Sequence, residues 1–410
     1  MTSVTGPLEA WVFGLVYLGM MAGRFPRLRL DRTGIALLGA IVLVASGRTT
    51  LGQAVTAVDI PTVSLLFAMM VVSAQLRLGG FYAFCARKTA ELRLAPPLWL
   101  AAVIFLAGIL SAVFSNDIIC LAMAPVLIDG CRKQRLDPLP FLLALACAAN
   151  IGSAATLIGN PQNMLIGQSF RLDFVAFAEA ASLPAAAGLL ITWGVIVFQF
   201  RGRWEETPGK SVPETAAAGI PPLDLEQTFK GLLVASVLFA LFLFSGIPRE
   251  IAALGGAGVL LASRRVYSRD MLNLVDWQLL VLFIGLFVVN HAFEQTGLPA
   301  RALAGLQGLG ADPSRPGWLF AVTVLLSNAV SNVPAVMLLI PAATDPAAPL
   351  ILAVASTLAG NLLLVGSIAN IIVADAAARS GVAFTYRNHA RTGVPVTLLT
   401  LAVTALFLSA

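Results

Sequence analysis

The sequence predicts an all-α polytopic membrane protein built from two inverted-topology repeats, each of about five transmembrane spans, one of them broken, plus one re-entrant hairpin. Three observations predict it. Of the 410 residues, 58% are hydrophobic and only 11% are charged, whereas a soluble globular chain carries about 25% charged residues. Apolar runs long enough to cross a bilayer recur from end to end. Finally, the stretch Leu110-Ser111-Ala112-Val113-Phe114-Ser115-Asn116-Asp117 nearly recurs as Leu326-Ser327-Asn328-Ala329-Val330-Ser331-Asn332-Val333, at a constant offset of 216. Paired polar interruptions at matching places in two halves point to a binding site built by a repeat.

In chain order, spans are predicted at 8–23, 33–48 and 58–76. A motif-bearing segment follows at 95–129, then a long segment at 138–170 broken near Gly152–Asn163, and a span at 182–200. Residues 201–227, rich in Pro, Gly and charge, form a cytoplasmic linker. The second half offers spans at 228–246, 249–263 and 275–293, a second motif segment at 314–343, a broken segment at 347–378 and a last span at 392–409. The domains are thus an N-terminal repeat over 1–200 and a C-terminal repeat over 228–410.

Charge decides whether each motif segment is one span or a hairpin. Arg77, Arg87, Lys88 and Arg93 precede 95–129, and Arg132, Lys133 and Arg135 follow it. Both flanks are cytoplasmic by the positive-inside rule, which a single span cannot give. With both motif segments as hairpins, the first opening inward and the second outward, 21 of the 26 basic residues fall inside; as single spans, 15 do. Each half then crosses an odd number of times, so the repeats are inverted. Val58-Asp59 pairs with Val275-Asp276 and Gly80 with Gly297 at offset 217, and Gly159 with Gly366 and Asn163 with Asn370 at offset 207.

Positive charge is missing before the first apolar run and follows it at Arg24, Arg27, Arg29 and Arg32. A cleavable signal peptide is the reverse. The expected location is the cell (inner) membrane, multi-pass, with both termini outside. The net charge of +5 lies in inter-helix loops and is no nucleic-acid signal. Cys85, Cys120, Cys131 and Cys147 form no C-x-x-C pair and predict neither disulfides nor a zinc site.

Irregular backbone at membrane depth is tolerated only where protein buries it or a wet cavity adjoins it. Four such breaks are predicted: hairpin tips at Ser115-Asn116-Asp117 and Ser331-Asn332-Val333-Pro334, and broken helices at 150–163 and 359–370. Pro161 and Pro334 suit the starts of half-helices. Half-helix N-termini offer free N–H groups and a positive dipole end to an oxyanion, and unwound carbonyls can hold a cation. Substrate-binding candidates are Ser115, Asn116, Asp117, Ser331, Asn332, Thr156, Asn163 and Asn370. Gly159, Asn160, Asn361, Gly366 and Ser367 form a region for sodium or another coupling ion. The competing reading of each Ser-Asn is helix–helix hydrogen bonding. Asp117 is the one carboxylate at a tip; it either binds a cation or carries a coupling proton, or it caps the following arm. Asp59 and Asp276 are expected to be helix caps, and His291 with Glu294 a solvated helix end. No metal motif or nucleophile–base pair accompanies the breaks, so no enzyme and no cofactor beyond a coupling H+ or Na+ is expected.

On Phe114-Ser115-Asn116-Asp117, Gly159-Asn160-Pro161-Gln162-Asn163, Ser331-Asn332-Val333-Pro334 and Gly366-Ser367-Ile368-Ala369-Asn370, the chain resembles the ion-transporter superfamily. That superfamily holds arsenite/antimonite efflux permeases, citrate and dicarboxylate carriers and certain sodium/proton antiporters; bacterial anion permeases are the nearest in kind. The resemblance covers nearly the whole length. It implies a scaffold that often forms a homodimer, a mobile transport part made of hairpins and broken helices, and elevator-like alternating access. It implies that Ser115, Asn116, Ser331 and Asn332 line the substrate site. Asp117 and Val333 stand where dicarboxylate carriers have threonine, and Asn116-Asp117 resembles the arsenite-permease pattern. The expected function is therefore secondary transport of a small inorganic or organic anion or oxyacid, with arsenite/antimonite the leading substrate. Citrate or dicarboxylate transport, sodium/proton exchange and an ion channel are the alternatives.

Overall fold

The computed structural model describes residues 6–22, 30–205, 222–308, 312 and 314–409. Arg24, Arg27 and Arg29 of the first basic loop, and linker residues 206–221 with Lys210, lie outside the described residues.

The first half holds α1 (Pro7–Ala22), α2 (Arg32–Ala45), α3 (Leu51–Ala57), α4 (Ile60–Leu78), α5 (Phe81–Ala90), α6 (Pro96–Val113), α7 (Asn116–Lys133), α8 (Pro138–Ser153), α9 (Pro161–Ser169) and α10 (Phe174–Gln199). The second half repeats the order: α11 (Leu225–Phe244), α12 (Arg249–Leu261), α13 (Ser268–Leu272), α14 (Trp277–Glu294), α15 (Leu298–Gly308), α16 (Pro316–Val330), α17 (Asn332–Leu339), α18 (Ala348–Ala359), α19 (Ile368–Arg379) and α20 (Tyr386–Ser409). No strand occurs among the described residues. Six helices are long and apolar enough to cross a membrane: α4, α6, α10, α11, α14 and α20. The chain is an all-α polytopic membrane protein.

Local chemistry sets the helix starts. Side-chain oxygens of Asp59 and Asp276 accept from the amides of Thr62 and Leu279 at 2.9 and 3.0 Å, so both are caps. Asp31, Asp137, Asp173 and Asp224 do the same for α2, α8, α10 and α11. Gly80 and Gly297 take φ of 73° and 69° in the turns before α5 and α15, a left-handed backbone that glycine adopts without strain. The four cysteines are free thiols, and Glu294 is exposed at its helix end.

The structure corrects several boundaries. α10 begins at Phe174 and not at 182: Asp173 caps its first turn, and Glu179 in the second turn hides this start from a hydropathy window. α20 begins at Tyr386 and not at 392, its first turns carrying Arg387, Asn388, His389 and Arg391. The linker ends three residues before 228, where α11 starts. α3, α5, α13 and α15 lie between the predicted spans; they are too short, or in α5 too polar (Arg87, Lys88), for a span pattern.

Both motif segments fold as paired helices. α16 and α17 have 15 and 8 residues, about 22 and 12 Å at 1.5 Å per residue, too short to cross a core of about 30 Å. α6 and α7 have 18 residues each, and their tip ends against the break between α8 and α9, where the Asn116 amide lies 3.4 Å from the Gly159 carbonyl oxygen. α6 lies so close to α8 that a Cβ on Gly152 would stand 2.6 Å from the Gly108 carbonyl carbon. Small residues permit this backbone approach, as they do between membrane helices generally.

Candidate functional site

All four breaks meet in the interior around the end of α8. Asn150, buried on its last turn, uses its full hydrogen-bonding capacity of two donors and two lone pairs. Its Oδ1 accepts from Asn116 Nδ2 at 3.0 Å and from Ser367 Oγ at 2.8 Å. Its Nδ2 donates to Asn361 Oδ1 at 2.8 Å and Asn370 Oδ1 at 3.2 Å. One side chain thus ties the first hairpin tip to the broken helix of the other repeat.

A related set lies on the other side. Asn160 Nδ2 donates to Thr357 Oγ1 at 3.2 Å and to Ser153 Oγ at 3.0 Å, while its Oδ1 caps α9 through the Asn163 amide at 2.9 Å. At offset 207 Asn160 matches Ser367 and Asn150 matches Thr357. The Asn160–Thr357 and Ser367–Asn150 bonds are therefore the same contact made twice, in reciprocal directions. Such reciprocity is what a two-fold relation produces. Asn163 Nδ2 donates to the carbonyls of Ser153 and Thr156 at 3.3 and 2.9 Å, and Asn370 Nδ2 to those of Gly360 and Leu363 at 2.9 and 3.3 Å. These too match at 207. Both asparagines stitch unwound backbone, satisfying carbonyls that a continuous helix would have paired.

The remaining candidates divide by what they have left to offer. Thr156 Oγ1 donates to the Ala112 carbonyl at 2.5 Å and holds the first hairpin to the break. Gly159 is required: a Cβ there would stand 2.7 Å from Ser153 Cα and 2.9 Å from the Ser111 carbonyl oxygen. A Cβ on Gly360 would stand 3.2 Å from Asn332 Nδ2, and one on Gly366 3.2 Å from Asn328 Oδ1, which brings the second hairpin against the second break. Asn116, Asn163, Asn328 and Asn332 each keep a buried Oδ1 without a partner among the described residues. Ser115, Asp117 and Ser331 are half-buried and make no side-chain hydrogen bond among the described residues. Asp117 is not a cap: no side chain caps α7. None caps α17 or α19 either, while α9 is capped by Asn160. Three half-helices thus start at this centre without a side-chain cap, each with a positive dipole end.

Ser331 forms the whole second tip. It stands alone between α16 and α17 with φ 83° and ψ 160°, a region that essentially only glycine occupies, at about 1–3 kcal/mol for other residues. We expect Ser331→Gly to raise the melting temperature and to lower transport, because it relieves the backbone and removes the hydroxyl. A variant that loses stability would show the strain to be absent.

The residues that sequence reasoning passed over are Asn150, Ser153, Gln162 and Thr357. Gln162 Nε2 donates to Thr357 Oγ1 at 3.2 Å. The available signal was a lone asparagine following Ala148-Ala149 in an apolar helix. Tyr17 and Asn290, from α1 and α14, also reach the second tip: Tyr17 Oη donates to Asn290 Oδ1 at 2.9 Å and lies 3.5 Å from the Pro334 carbonyl oxygen.

A family model described as "Citrate transporter" matches residues 16–350. The silicon efflux transporter LSI3 of Oryza sativa subsp. japonica is 29% identical and the alignment covers 95% of each chain. The 46 kDa membrane protein of Mycobacterium leprae (strain TN) is 26% identical, over 93% of this chain and 94% of its own. Among solved structures, the YdaH transporter of Alcanivorax borkumensis superposes with a TM-score of 0.57 over 98% of this chain and 96% of that chain, at 17% identity, a likeness of fold.

Proposed function

The chain belongs to the citrate transporter family and is a secondary membrane transporter, and from that premise we propose that it carries a small oxyacid or anion by elevator-type alternating access. Arsenite- or antimonite-type hydroxides are the leading cargo. The observation that carries this reading is the make-up of the centre. Its polar side chains are amides and hydroxyls with one carboxylate, Asp117, and no Lys, Arg or His side chain hydrogen-bonds into the network among the described residues. A multiply charged carboxylate would leave water without a cationic partner, which is costly. A neutral hydroxide can instead donate to the carboxamide oxygens and accept from the N-terminal amides of α7, α17 and α19. The silicon efflux activity in the name of the rice relative fits the same chemistry, since dissolved silicon is also a neutral hydroxide near pH 7.

A second reading, a citrate or dicarboxylate carrier, has one observation in its favour. The buried Oδ1 atoms of Asn116, Asn163 and Asn332 have no partner among the described residues; carboxamide oxygens of this kind suit a sodium ion, and such an ion would supply the missing positive charge. Sodium/proton exchange and channel conduction are weaker alternatives. The protein is taken to be a homodimer in the cell (inner) membrane, with inverted repeats, the first hairpin opening inward, the second outward, and both termini outside.

Proteoliposomes loaded in turn with arsenite, silicic acid, citrate, succinate, sulfate or sodium, under imposed proton or sodium gradients, test these readings. Flux of a neutral hydroxide with little citrate flux is expected. Sodium-driven citrate flux alone would replace the first reading by the second. Asp117→Asn is expected to change the proton or sodium dependence of transport, measured as initial rate against each gradient; an unaltered dependence would remove Asp117 from coupling.

A further inference from the structure

The centre of the molecule obeys its two-fold relation and one contact at its rim does not. Arg249, the first residue of α12, is half-buried and holds the end of α9. Its Nη1 donates to the Leu172 carbonyl at 2.7 Å and its Nη2 to the Gly167 carbonyl at 2.8 Å. Beside it Gln168 Nε2 donates to Glu250 Oε2 at 3.0 Å. A planar guanidinium suits two carbonyls at a helix C-terminus, where the dipole is negative.

The counterpart of Arg249 at offset 217 is Arg32, the first residue of α2. The counterpart of the α9 terminus is the α19 terminus. Leu172 N bonds Gly167 O at 3.1 Å, and Val382 N bonds Ala377 O at 2.9 Å; Arg171 and Gly381 take the left-handed conformation between them, with φ of 49° and 69°. The two helix ends therefore share one turn, reached three residues later in α19 (12 residues) than in α9 (9 residues), with Ala377 and Val382 standing where Gly167 and Leu172 stand and their carbonyls accepting from the backbone amides of Ser380, Val382 and Phe384. Yet Arg32, half-buried, makes no hydrogen bond or ion pair among the described residues. The α19 end is bound instead by Arg132 of α7, whose Nη2 donates to the Ser380 carbonyl at 2.5 Å.

We propose that Arg249 and Arg32 are alternating latches. In the state seen here Arg249 clamps the C-terminal carbonyls of α9, and in the oppositely facing state Arg32 clamps Ala377 and Val382 at the end of α19. The proposal rests on the alternating-access reading above. Two repeats of like structure can exchange their environments, so a contact made by one copy and left unmade by the other marks the state. α12 and α2 pack on α4 and α14, outside the hairpin and broken-helix assembly, whereas the Arg132–Ser380 bond lies within that assembly and moves with it. Arg249 and Arg32 act through positioning and do not touch cargo.

The test uses the full chain with its four cysteines replaced, reconstituted in lipid, carrying Gln168→Cys and Glu250→Cys. These side chains touch in the present state, so their cross-linking yield under mild oxidation reports its population. Adding Arg249→Ala is expected to lower the ratio of cross-linkable to other states about tenfold, the factor carried by one charge-assisted hydrogen bond of about 1.4 kcal/mol. Adding Arg32→Ala is expected to raise it, and the two together to return it toward the starting value. Opposite signs are what a merely structural role for either arginine would not give. Changes of the same sign, or none, would overturn the latch. Failure of the underlying reading shows separately: a fully cross-linked protein that still carries arsenite or citrate at the unlinked rate would contradict alternating access itself.

Discussion

Asn150→Leu is expected to abolish transport and to lower the melting temperature while leaving membrane insertion intact. The side chain makes four hydrogen bonds in a buried centre. Hydrogen bonds between membrane helices average about 0.6 kcal/mol and reach about 1.7, so four of them are worth about 2–3 kcal/mol. Their removal also strands Asn116, Ser367, Asn361 and Asn370, all of them beside the uncapped helix ends. A size-matched apolar residue keeps the packing volume, so the loss measures polarity and not a cavity. Asn150→Asp sharpens the test. It preserves acceptors for Asn116 and Ser367 but brings a carboxylate against the oxygens of Asn361 and Asn370. Transport should then survive only where that carboxyl is protonated. Flux against pH in proteoliposomes, with a thermal melt in detergent, measures both. Wild-type flux in Asn150→Leu would show the network to be scaffolding remote from the cargo.

Asn116→Ala and Asn332→Ala are each expected to reduce transport to background with normal insertion. The two residues occupy matching positions at the two tips and each keeps a buried, unpartnered Oδ1. Their expected effects on stability differ. Asn116 also bonds Asn150 at 3.0 Å, so its removal should cost about 0.6–1.7 kcal/mol. Asn332 makes no side-chain hydrogen bond among the described residues, and its removal relieves a buried acceptor. A melt that falls for Asn116→Ala and holds for Asn332→Ala, with flux lost in both, separates cargo contact from architecture. Flux retained in both variants would remove the tips from the site.

Much of this arrangement was legible in the sequence, because its causes are local or periodic. A bilayer fixes span length, so the spans and both broken segments could be placed. Polar residues inside apolar runs stand out, so Asn116, Asn163, Asn332 and Asn370 could be named at the tips and breaks. The offset of 207 paired Asn163 with Asn370, and both stitch equivalent carbonyls. What stayed hidden depends on chain segments far apart. Asn150 is one asparagine in an alanine-rich helix until Asn361, Ser367 and Asn370, over 200 residues away, close around it. The backbone of Ser331 belongs to a tip one residue wide, and residue type does not encode that. Arg249 reads as a helix-end charge until the end of α9 stands beside it and Arg32, whose side chain bonds nothing among the described residues, gives the contrast. Asp117 was left between a cap and a functional carboxylate, and geometry removes the cap.

The most direct measurement of the central claim is the pH dependence of arsenite flux in proteoliposomes, with citrate as competitor. If the centre holds a neutral hydroxide through amides and hydroxyls, flux stays level across the range in which arsenite is un-ionised and falls as it loses its proton, and excess citrate does not compete. Flux that rises as the cargo becomes anionic, or is suppressed by citrate in the presence of sodium, would contradict the account.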